Sequence, residues 1–343
     1  MRMDIQQDVP LSSYSTMRLG GPADNMVSVD SKEELTEAIE WAASKNMPVI
    51  VIGEGSNIVW GDEGFEGLVI VNRILGFEKI SEDEVSATYK IGAGEDWDTT
   101  VGKLVDLNLS GVECLSLIPG KAGATPVQNV GAYGQEIAQT LVSVEAYDTQ
   151  EKAFVSIANH ECGFGYRTSR FKTNDKGRFF ISNILLKLNK SLPAPPFYAV
   201  LQAYLDERGI KQFTPKIIRD AVIAIRSEKM PDWHKIANNG SFFANPIVSL
   251  EKYAELKTKY TGIVAWPYER GYKLSAGWLL ETAGLRGYHD PETGMATYEK
   301  SALVFINERA KSTADLLKFR QKITDKIKGM FDIELEQEPE LIV

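Results

Sequence analysis

Apolar residues recur along this chain with two different periods, and the stretches that follow neither period carry the most chemistry. In "SKEELTEAIEWAASKN", residues 31 to 46, Leu35, Ala38, Ile39 and Ala42 fall at helical spacing, and Ser31 with Glu34 forms a capping-box pattern. Pro48 stops the helix, and "VIVIG" behind it reads as a short buried strand. A helix feeding a strand predicts an α/β layer. "GLVIVN" and "SATYKIGAG" read as further strands, and "DWDTTVGKLVDLNL" carries a helical stripe at Val101, Leu104, Val105 and Leu109. "VSVEAYDTQEKAFVSI" predicts a hairpin turning near Thr149 and Gln150, and "FFISNILLKLN" a strand over residues 179 to 189. The prolines of "LPAPPFYAVLQAYL" mark a loop or a boundary.

From about residue 214 the texture is helical. "TPKIIRDAVIAIRSEK" places Ile217, Ile218, Ala221, Val222 and Ile225 on one face. "GSFFANPIV" and "ALVFIN" predict strands. "KSTADLLKFRQKITDKIKGMF" predicts a long amphipathic helix with its stripe at Leu316, Phe319, Ile323, Ile327 and Met330, and "DIELEQEPELIV" a terminal strand. No internal repeat or low-complexity tract occurs.

Two segments obey no period. "GEGSN", residues 53 to 57, follows a strand, and "IPGKAGATPVQNVGAYG", residues 118 to 134, packs four glycines and two prolines into one window. Glycine admits positive φ and close backbone approach. Such loops are either tight turns or a pair of main-chain N–H cradles that hold a diphosphate between them. No G-x-G-x-x-G, P-loop or G-x-S-x-G pattern is present, so a bound dinucleotide implies an architecture other than the Rossmann type.

A length of 343 residues predicts two or three domains. The net charge of -9 argues against a broad nucleic-acid surface while permitting local basic pockets. Such pockets could draw on Arg167, Arg170 and Lys172, or on Arg226, Lys229 and Lys235. Carboxylates gather near the end at Glu336, Glu338 and Glu340. Cys114 and Cys162 form no disulfide framework or zinc pattern and fit a reducing compartment. His160, His234 and His289 share no metal-ligand spacing. Without a signal-like or membrane-spanning apolar run, the expectation is a cytoplasmic protein.

In their order, "STMRLGGPAD", "PVIVIGEGSNIVW", "LSLIPGKAGATPVQNVGAYG", "ECGFGYRTSRFK", "NNGSFFANP", "KLSAGWLLETAGLRG" and "ALVFIN" resemble the UDP-N-acetylenolpyruvoylglucosamine reductase family over nearly the whole chain. The resemblance implies an α+β fold. Its FAD-binding region is of the vanillyl-alcohol-oxidase (PCMH) type, in two α/β subdomains over 1–72 and 73–213. An α+β substrate domain follows over 214–330, then a C-terminal strand over 331–343 with the catalytic glutamate. It implies FAD contacts at Gly53, Glu54, Gly55, Ser56 and Asn57. It implies others at Pro119, Gly120, Gly123, Ala124, Gln128, Asn129, Gly131, Tyr133 and Gly134. Neither loop holds a histidine or cysteine, so non-covalent FAD is expected.

The implied reaction passes electrons from NADPH through FAD to the enolpyruvyl double bond and yields UDP-N-acetylmuramate, a peptidoglycan precursor. Hydride addition leaves negative charge on the adjacent carbon and its carboxylate, which calls for a fixed cation and an acid. Arg167 in "GYR" matches the family arginine, and its fork suits a carboxylate. Ser241 in "NGSFF" matches the serine that protonates the carbanion; a serine is a poor acid, so a neighbouring donor should assist it. Glu338 matches the C-terminal glutamate. This chain reads "LEQEPEL" where the family has "LEPEV", so Glu336 competes for that place, and in a strand the two share a face. For the UDP-sugar the resemblance implies Tyr198 on a covering loop, Lys229 and Asn245 as supports, and Lys273 and Arg286 near the diphosphate. Ser301 stands where the family has a glutamine. The expected partners are the UDP-sugar and NADPH, with no nucleic acid or membrane, for a monomer.

Two rivals are a flavin-dependent alcohol or sugar oxidase of the same fold and a non-enzymatic flavin and nucleotide-sugar sensor. The paired arginine and "NNGSFF" motifs favour the reductase. The joint presence of Arg167, Ser241 and a C-terminal glutamate opposes the sensor.

Overall fold

The computed structural model describes residues 3–343. Contacts divide the chain into two units. Unit 1 comprises residues 1–9, 23–54 and 66–227; unit 2 comprises 10–22, 55–65 and 228–343.

Unit 1 begins with a four-stranded sheet in the order Gln6–Pro10, Pro22–Val29, Phe65–Asn72, Val49–Ile52, the last two parallel. Helix α1 (Lys32–Ser44) covers it. The Ser31 side chain accepts from the Glu34 N–H at 3.1 Å, while the Glu34 carboxylate accepts from the Asp30 N–H at 2.7 Å, one residue earlier than a standard box would place it. Leu35, Ala38, Ile39 and Ala42 are buried against Val27, Val29, Leu68 and Ile70. Asn46 ends the run at φ 53°, where asparagine is tolerated.

A second, antiparallel sheet follows in the order Ala153–Ala158, Leu141–Asp148, Phe179–Asn189, Ser86–Gly92, Phe77–Glu82. The first two strands turn through Thr149 and Gln150, as the alternation predicted. Phe77–Glu82 was not anticipated, because its residues are almost all exposed and show no buried stripe. Helix α2 (Trp97–Asp106) buries Val101, Leu104 and Val105 in the core shared with Ile91, Ile184 and Leu186. The proline-rich segment, where the prolines predict a loop or a boundary, leads into a helix, α3 (Ala199–Glu207). Only Leu201 and Leu205 of α3 are buried, too few to show a period. Both pack with Ile218, Ala221, Val222 and Ile225 of α4 (Pro215–Lys229) around Cys114.

Unit 2 has two three-stranded sheets, ordered Ala237–Ser241, Ser301–Asn307, Met295–Tyr298 and Ile247–Ser249, Gly271–Leu274, Ala265–Tyr268. Helices α5 (Leu250–Lys259), α6 (Ala276–Thr282) and α7 (Thr313–Phe331) complete it. The stripe of α7 runs through Leu316, Phe319, Ile323 and Ile327, but Met330 is 40% exposed and Phe331 takes the last core position. "GSFFANPIV" is two strands rather than one: the first ends at Ser241 and the second begins at Ile247. Phe242 and Phe243 are both buried, which strict alternation along one strand face would not allow. At the end of the chain only Glu340–Ile342 is strand, pairing in parallel with Ile58–Trp60. Among the described residues no helix is long and apolar enough to cross a membrane.

Candidate active site

Within unit 1 the first two residues of one aperiodic loop, Gly53 and Glu54, meet the other loop. Gly53 lies against Lys121 so closely that an added Cβ would stand 2.8 Å from its Cγ. The Gly120 N–H donates to the Glu54 carboxylate at 3.1 Å. Pro119, Gly120, Gly123, Ala124 and Gln128 follow one another along the longer loop, whose turns are closed by bonds such as Ala124 N–H to Lys121 O at 3.0 Å and which is tied to the chain before α2 by Ala122 N–H to Glu95 O at 2.9 Å. Gly123 rests on the sheet: a Cβ there would meet the Ala93 Cβ at 2.5 Å. The loop ends in a small hairpin, Gly131–Ala132 against Gln135–Glu136. Its turn residues, Tyr133 at φ 48° and Gly134 at φ 85°, both lie in the left-handed region, the geometry of a two-residue hairpin turn. Asn129 at φ 47° and Leu117 at φ 57° are left-handed too. Such backbone costs about 1–3 kcal/mol per residue and gathers at ligand sites.

Arg167 shares this conformation at φ 54°, in the tight turn between Gly165 and Thr168. One of its terminal nitrogens donates to the Gly131 carbonyl at 2.9 Å. Asn129 joins the same two segments by donating to the Gly165 carbonyl at 3.1 Å. The arginine is thus seated on the glycine-rich loop, and the missing side chain at Gly131 makes room: a Cβ there would lie 3.3 Å from its other terminal nitrogen. Tyr198, directly before α3, meets the Tyr133 ring edge to face at 6.1 Å. Burial pushes both phenols above their ordinary values; for Tyr133 the neighbouring Arg226 partly opposes that rise.

Within unit 2 the sequence "NNGS" forms a β-bulge. Asn238 pairs with Ile306 and Ser241 with Val304, so one extra residue stands on the first strand. Gly240 absorbs it at φ 70°. The bulge re-aims Ser241, and the next N–H, of Phe242, donates to Leu303 O at 2.8 Å. The Phe242 carbonyl in turn accepts from the Glu338 N–H at 3.0 Å, and the Ala244 N–H donates to Glu336 O at 3.0 Å. Glu338 therefore lies beside the backbone that follows Ser241. It also adjoins the first loop, because Asn57 donates to the Glu338 carbonyl at 3.4 Å. The chain bends at Glu338 and is not a strand there, so Glu336 and Glu338 do not share one face as expected: Glu336 is exposed and Glu338 half-buried.

Asn239 ties the bulge to the loop, donating to Thr16 Oγ1, Ser56 O and Ile58 O at 3.1, 3.1 and 3.3 Å. Its Oδ1 is buried without a hydrogen-bond partner, an acceptor left over for a donor from outside the chain. Within unit 1, the close backbone approach of Gly53 and Glu54 to residues 120 and 121 fits the diphosphate of FAD. Gly55, whose added Cβ would come within 2.0 Å of Tyr14 O, admits no side chain.

The remaining predicted residues scatter more widely. The Asn245 Oδ1 accepts from the Ala276 N–H at 2.9 Å at the start of α6. Lys273 stands on the central strand of its sheet, opposite Ile247 on one side and Trp266 on the other. Lys229 is exposed at the end of α4, and Ser301 opens its strand. Arg286 is exposed and paired with Glu281 at 2.7 Å, as a surface cation would be. Arg226, in sequence one member of a basic cluster, bonds Tyr133 and the Leu117 carbonyl, at 3.3 Å for the latter. The signal that could have found it is the seven-residue spacing from Arg219, which puts both on one face of α4. No group of histidine, cysteine or carboxylate side chains among the described residues could hold a metal.

Residues 23–154 match the FAD binding domain family, which makes the chain an FAD-binding protein of mixed α/β architecture with a separate C-terminal domain. Residues 232–342 match the family described as UDP-N-acetylenolpyruvoylglucosamine reductase, C-terminal domain. Over its length the chain is similar to proteins named UDP-N-acetylenolpyruvoylglucosamine reductase. It is 36% identical to that of Pseudomonas syringae pv. syringae, covering 99% of this chain and 100% of the relative. It is 37% identical to that of Thermobifida fusca, covering 100% and 99%, and 38% to that of Bdellovibrio bacteriovorus, covering 98% and 99%. The crystal structure of the Thermus caldophilus reductase shares the fold, with a TM-score of 0.68 at 23% identity over all of both chains. The chain belongs to the UDP-N-acetylenolpyruvoylglucosamine reductase family.

Proposed function

We propose that this chain is an FAD-dependent oxidoreductase that uses NADPH to reduce the enolpyruvyl group of UDP-N-acetyl-3-O-(1-carboxyvinyl)glucosamine to UDP-N-acetylmuramate, a step in making peptidoglycan precursors. The observation that carries this reading is the full-length similarity to reductases of that name, with both domain families in one chain. When bound, FAD relays two electrons from the nicotinamide to the double bond.

The chain's own residues supply the rest. The loops 53–57 and 118–134 hold the cofactor without a covalent bond, since neither contains a histidine or cysteine and Cys114 is buried. Burial pushes the Cys114 thiol far above its ordinary value, which leaves it a poor nucleophile. Arg167, held rigidly by Gly131, presents a planar fork to the substrate carboxylate and stabilises the charge that develops there. The Ser241 Oγ holds the proton that goes to the adjacent carbon, and its aim is set by the bulge at Gly240. Glu338 supports that transfer; its place next to Phe242 and Asn57, with Glu336 exposed, favours it over Glu336. Tyr198 covers the UDP-sugar; Lys229, Asn245, Lys273, Arg286 and Ser301 contact it. The same reading takes the protein as a cytoplasmic monomer with no nucleic-acid or membrane partner, which light scattering of the purified enzyme tests for its mass.

The test of the activity is direct. The purified protein should be yellow, NADPH should bleach it without oxygen, and the enolpyruvyl sugar nucleotide should restore the colour. A protein that takes up no FAD, or whose bleached form reacts with oxygen and alcohols but not with that substrate, overturns the reading.

A further inference from the structure

The motif "STMRLGGPAD" has no part in the chemistry proposed above, yet its Thr16 touches two places that do. Thr16 is buried and uses three of its groups within unit 2. Its N–H donates to the Gly55 carbonyl at 3.3 Å, its carbonyl accepts from the Asn238 N–H at 2.9 Å, and its Oγ1 accepts from the Asn239 side-chain amide at 3.1 Å. The contact with Gly55 is tight: a Cβ added there would stand 3.3 Å from Ser15 Cα as well as against Tyr14 O. Thr16 therefore lies between residues 55–58 and the bulge that precedes Ser241.

The two asparagines of the bulge differ in what they hold. Asn238 closes the bulge on itself: its Nδ2 donates to Ile236 O at 2.7 Å, and its Oδ1 accepts from the Gly240 N–H at 2.9 Å. Asn239 reaches outward, its Nδ2 facing Ser56 O and Ile58 O besides Thr16 Oγ1. Main-chain carbonyls only accept, so these two fix which way the amide lies, with its NH2 toward residues 16, 56 and 58. The ladder pairs Asn238 and Ser241 with the neighbouring strand but passes over Asn239 and Gly240. The part of the strand released from the sheet is thus the part that Asn239 anchors. Asn239 is 7% exposed, and its Oδ1 has no partner among the described residues. Burying such an acceptor is destabilising. An apolar side chain would suit packing better, and the amide is explained by what its NH2 holds.

We propose that Asn239 is a positioning residue for substrate reduction: with Thr16 it locks the bulge onto residues 55–58 and so holds the Ser241 hydroxyl in the orientation for proton delivery. A bulge that slides by one residue turns the next side chain to the other face of the strand. The three acceptors around Asn239 Nδ2 oppose that slide, because any shift of the bulge pulls the amide away from all of them. This inference rests on the proposed role of Ser241 as proton donor.

The experiment compares wild-type, N239L, T16V and T16S holoprotein, and N239L combined with S241A. Stopped-flow kinetics of the two half-reactions are the readout, with flavin content and melting temperature as controls. N239L and T16V keep the size of the side chain and remove the bond. In both, reoxidation by the enolpyruvyl sugar nucleotide should slow by about tenfold or more, the cost of a misplaced reacting group, while flavin reduction by NADPH stays near wild type. T16S, which restores the hydroxyl, should recover most of the lost rate. N239L should add little to S241A, since no hydroxyl is left to aim. Equal slowing of both half-reactions overturns the proposal. So does a loss from N239L that is as large in S241A as in the wild-type background, which would make Asn239 a packing residue only. If N239L does not fold or retain flavin, T16V and T16S decide: equal reoxidation rates in those two reject the lock. Wild-type half-reactions in S241A itself would instead overturn the reading of Ser241, and this inference with it.

Discussion

At the scale of single residues, the catalytic reading depends on two small features, a hydroxyl and a missing methyl. Ser241→Ala keeps the bulge and the strand but removes the proton at Oγ. Flavin reduction by NADPH should stay near wild type while reoxidation by substrate slows by about 10²-fold or more, in line with the loss of a positioned proton donor. Stopped-flow measurement of the two half-reactions separates them; equal loss in both rejects the role. Gly131→Ala places a methyl group 2.9 Å from the Glu136 Cγ and 3.3 Å from an Arg167 nitrogen. The arginine must shift, so substrate-driven reoxidation should fall while FAD is still bound; unchanged half-reactions would show that the guanidinium tolerates displacement. "GYR" and "NGSFF" could be read from the string because residue type and neighbours carry them. The identity of the glutamate could not, because Gln337 folds its side chain back to Pro339 O at 2.7 Å and the chain bends where a strand was expected.

Elements were legible where burial is one-sided. Helices α1, α2, α4 and α7 show clear periods because each has one face in a core, whereas the strand Phe179–Asn189, buried on both faces over residues 180–184, is legible as a continuous apolar run. The exposed strand Phe77–Glu82 and the two-residue stripe of α3 show none. The bulge is an element-scale device of the same hidden kind: only the offset between Asn238–Ile306 and Ser241–Val304 reveals it. Gly240→Ala forces a side chain into the left-handed region at φ 70°, at about 1–2 kcal/mol. If the strand relieves this by losing the extra residue, Ser241 changes face. The expected result is a modestly lower melting temperature with a much larger loss in substrate-driven reoxidation; a variant that melts early yet turns over normally would show that the bulge serves packing alone.

For the whole molecule, charge sets the acid limit of stability. Burial alone would raise Asp98, but the hydrogen bonds and charge of Arg219, with the Leu117 N–H, hold it below the usual carboxylate range. Asp148 is held low first by its hydrogen bonds to Arg178. Folded values below the unfolded ones mean a stability contribution that is complete above about pH 4–5 and disappears as pH falls through the folded values. Urea midpoints should therefore drop below about pH 4, and Asp98→Asn should flatten that drop while lowering stability at neutral pH. A variant with the wild-type pH profile would show that this pair contributes nothing to acid sensitivity.

Unit 2 is assembled from three separated stretches, and its core includes Met17, Leu19 and Val59 beside residues from 242 onward. Trp60, fully buried, donates to Tyr14 O, and its own carbonyl accepts from Thr313. A gene fragment beginning near residue 228 therefore lacks an internal wall and a strand partner for Glu340–Ile342. During synthesis, which runs from the N-terminus, residues 10–22 and 55–65 are made long before the residues from 228 onward that share their core, so their hydrophobic side chains find shelter late. The pairing of Glu340–Ile342 with Ile58–Trp60, rather than any early helix, then closes this half of the enzyme.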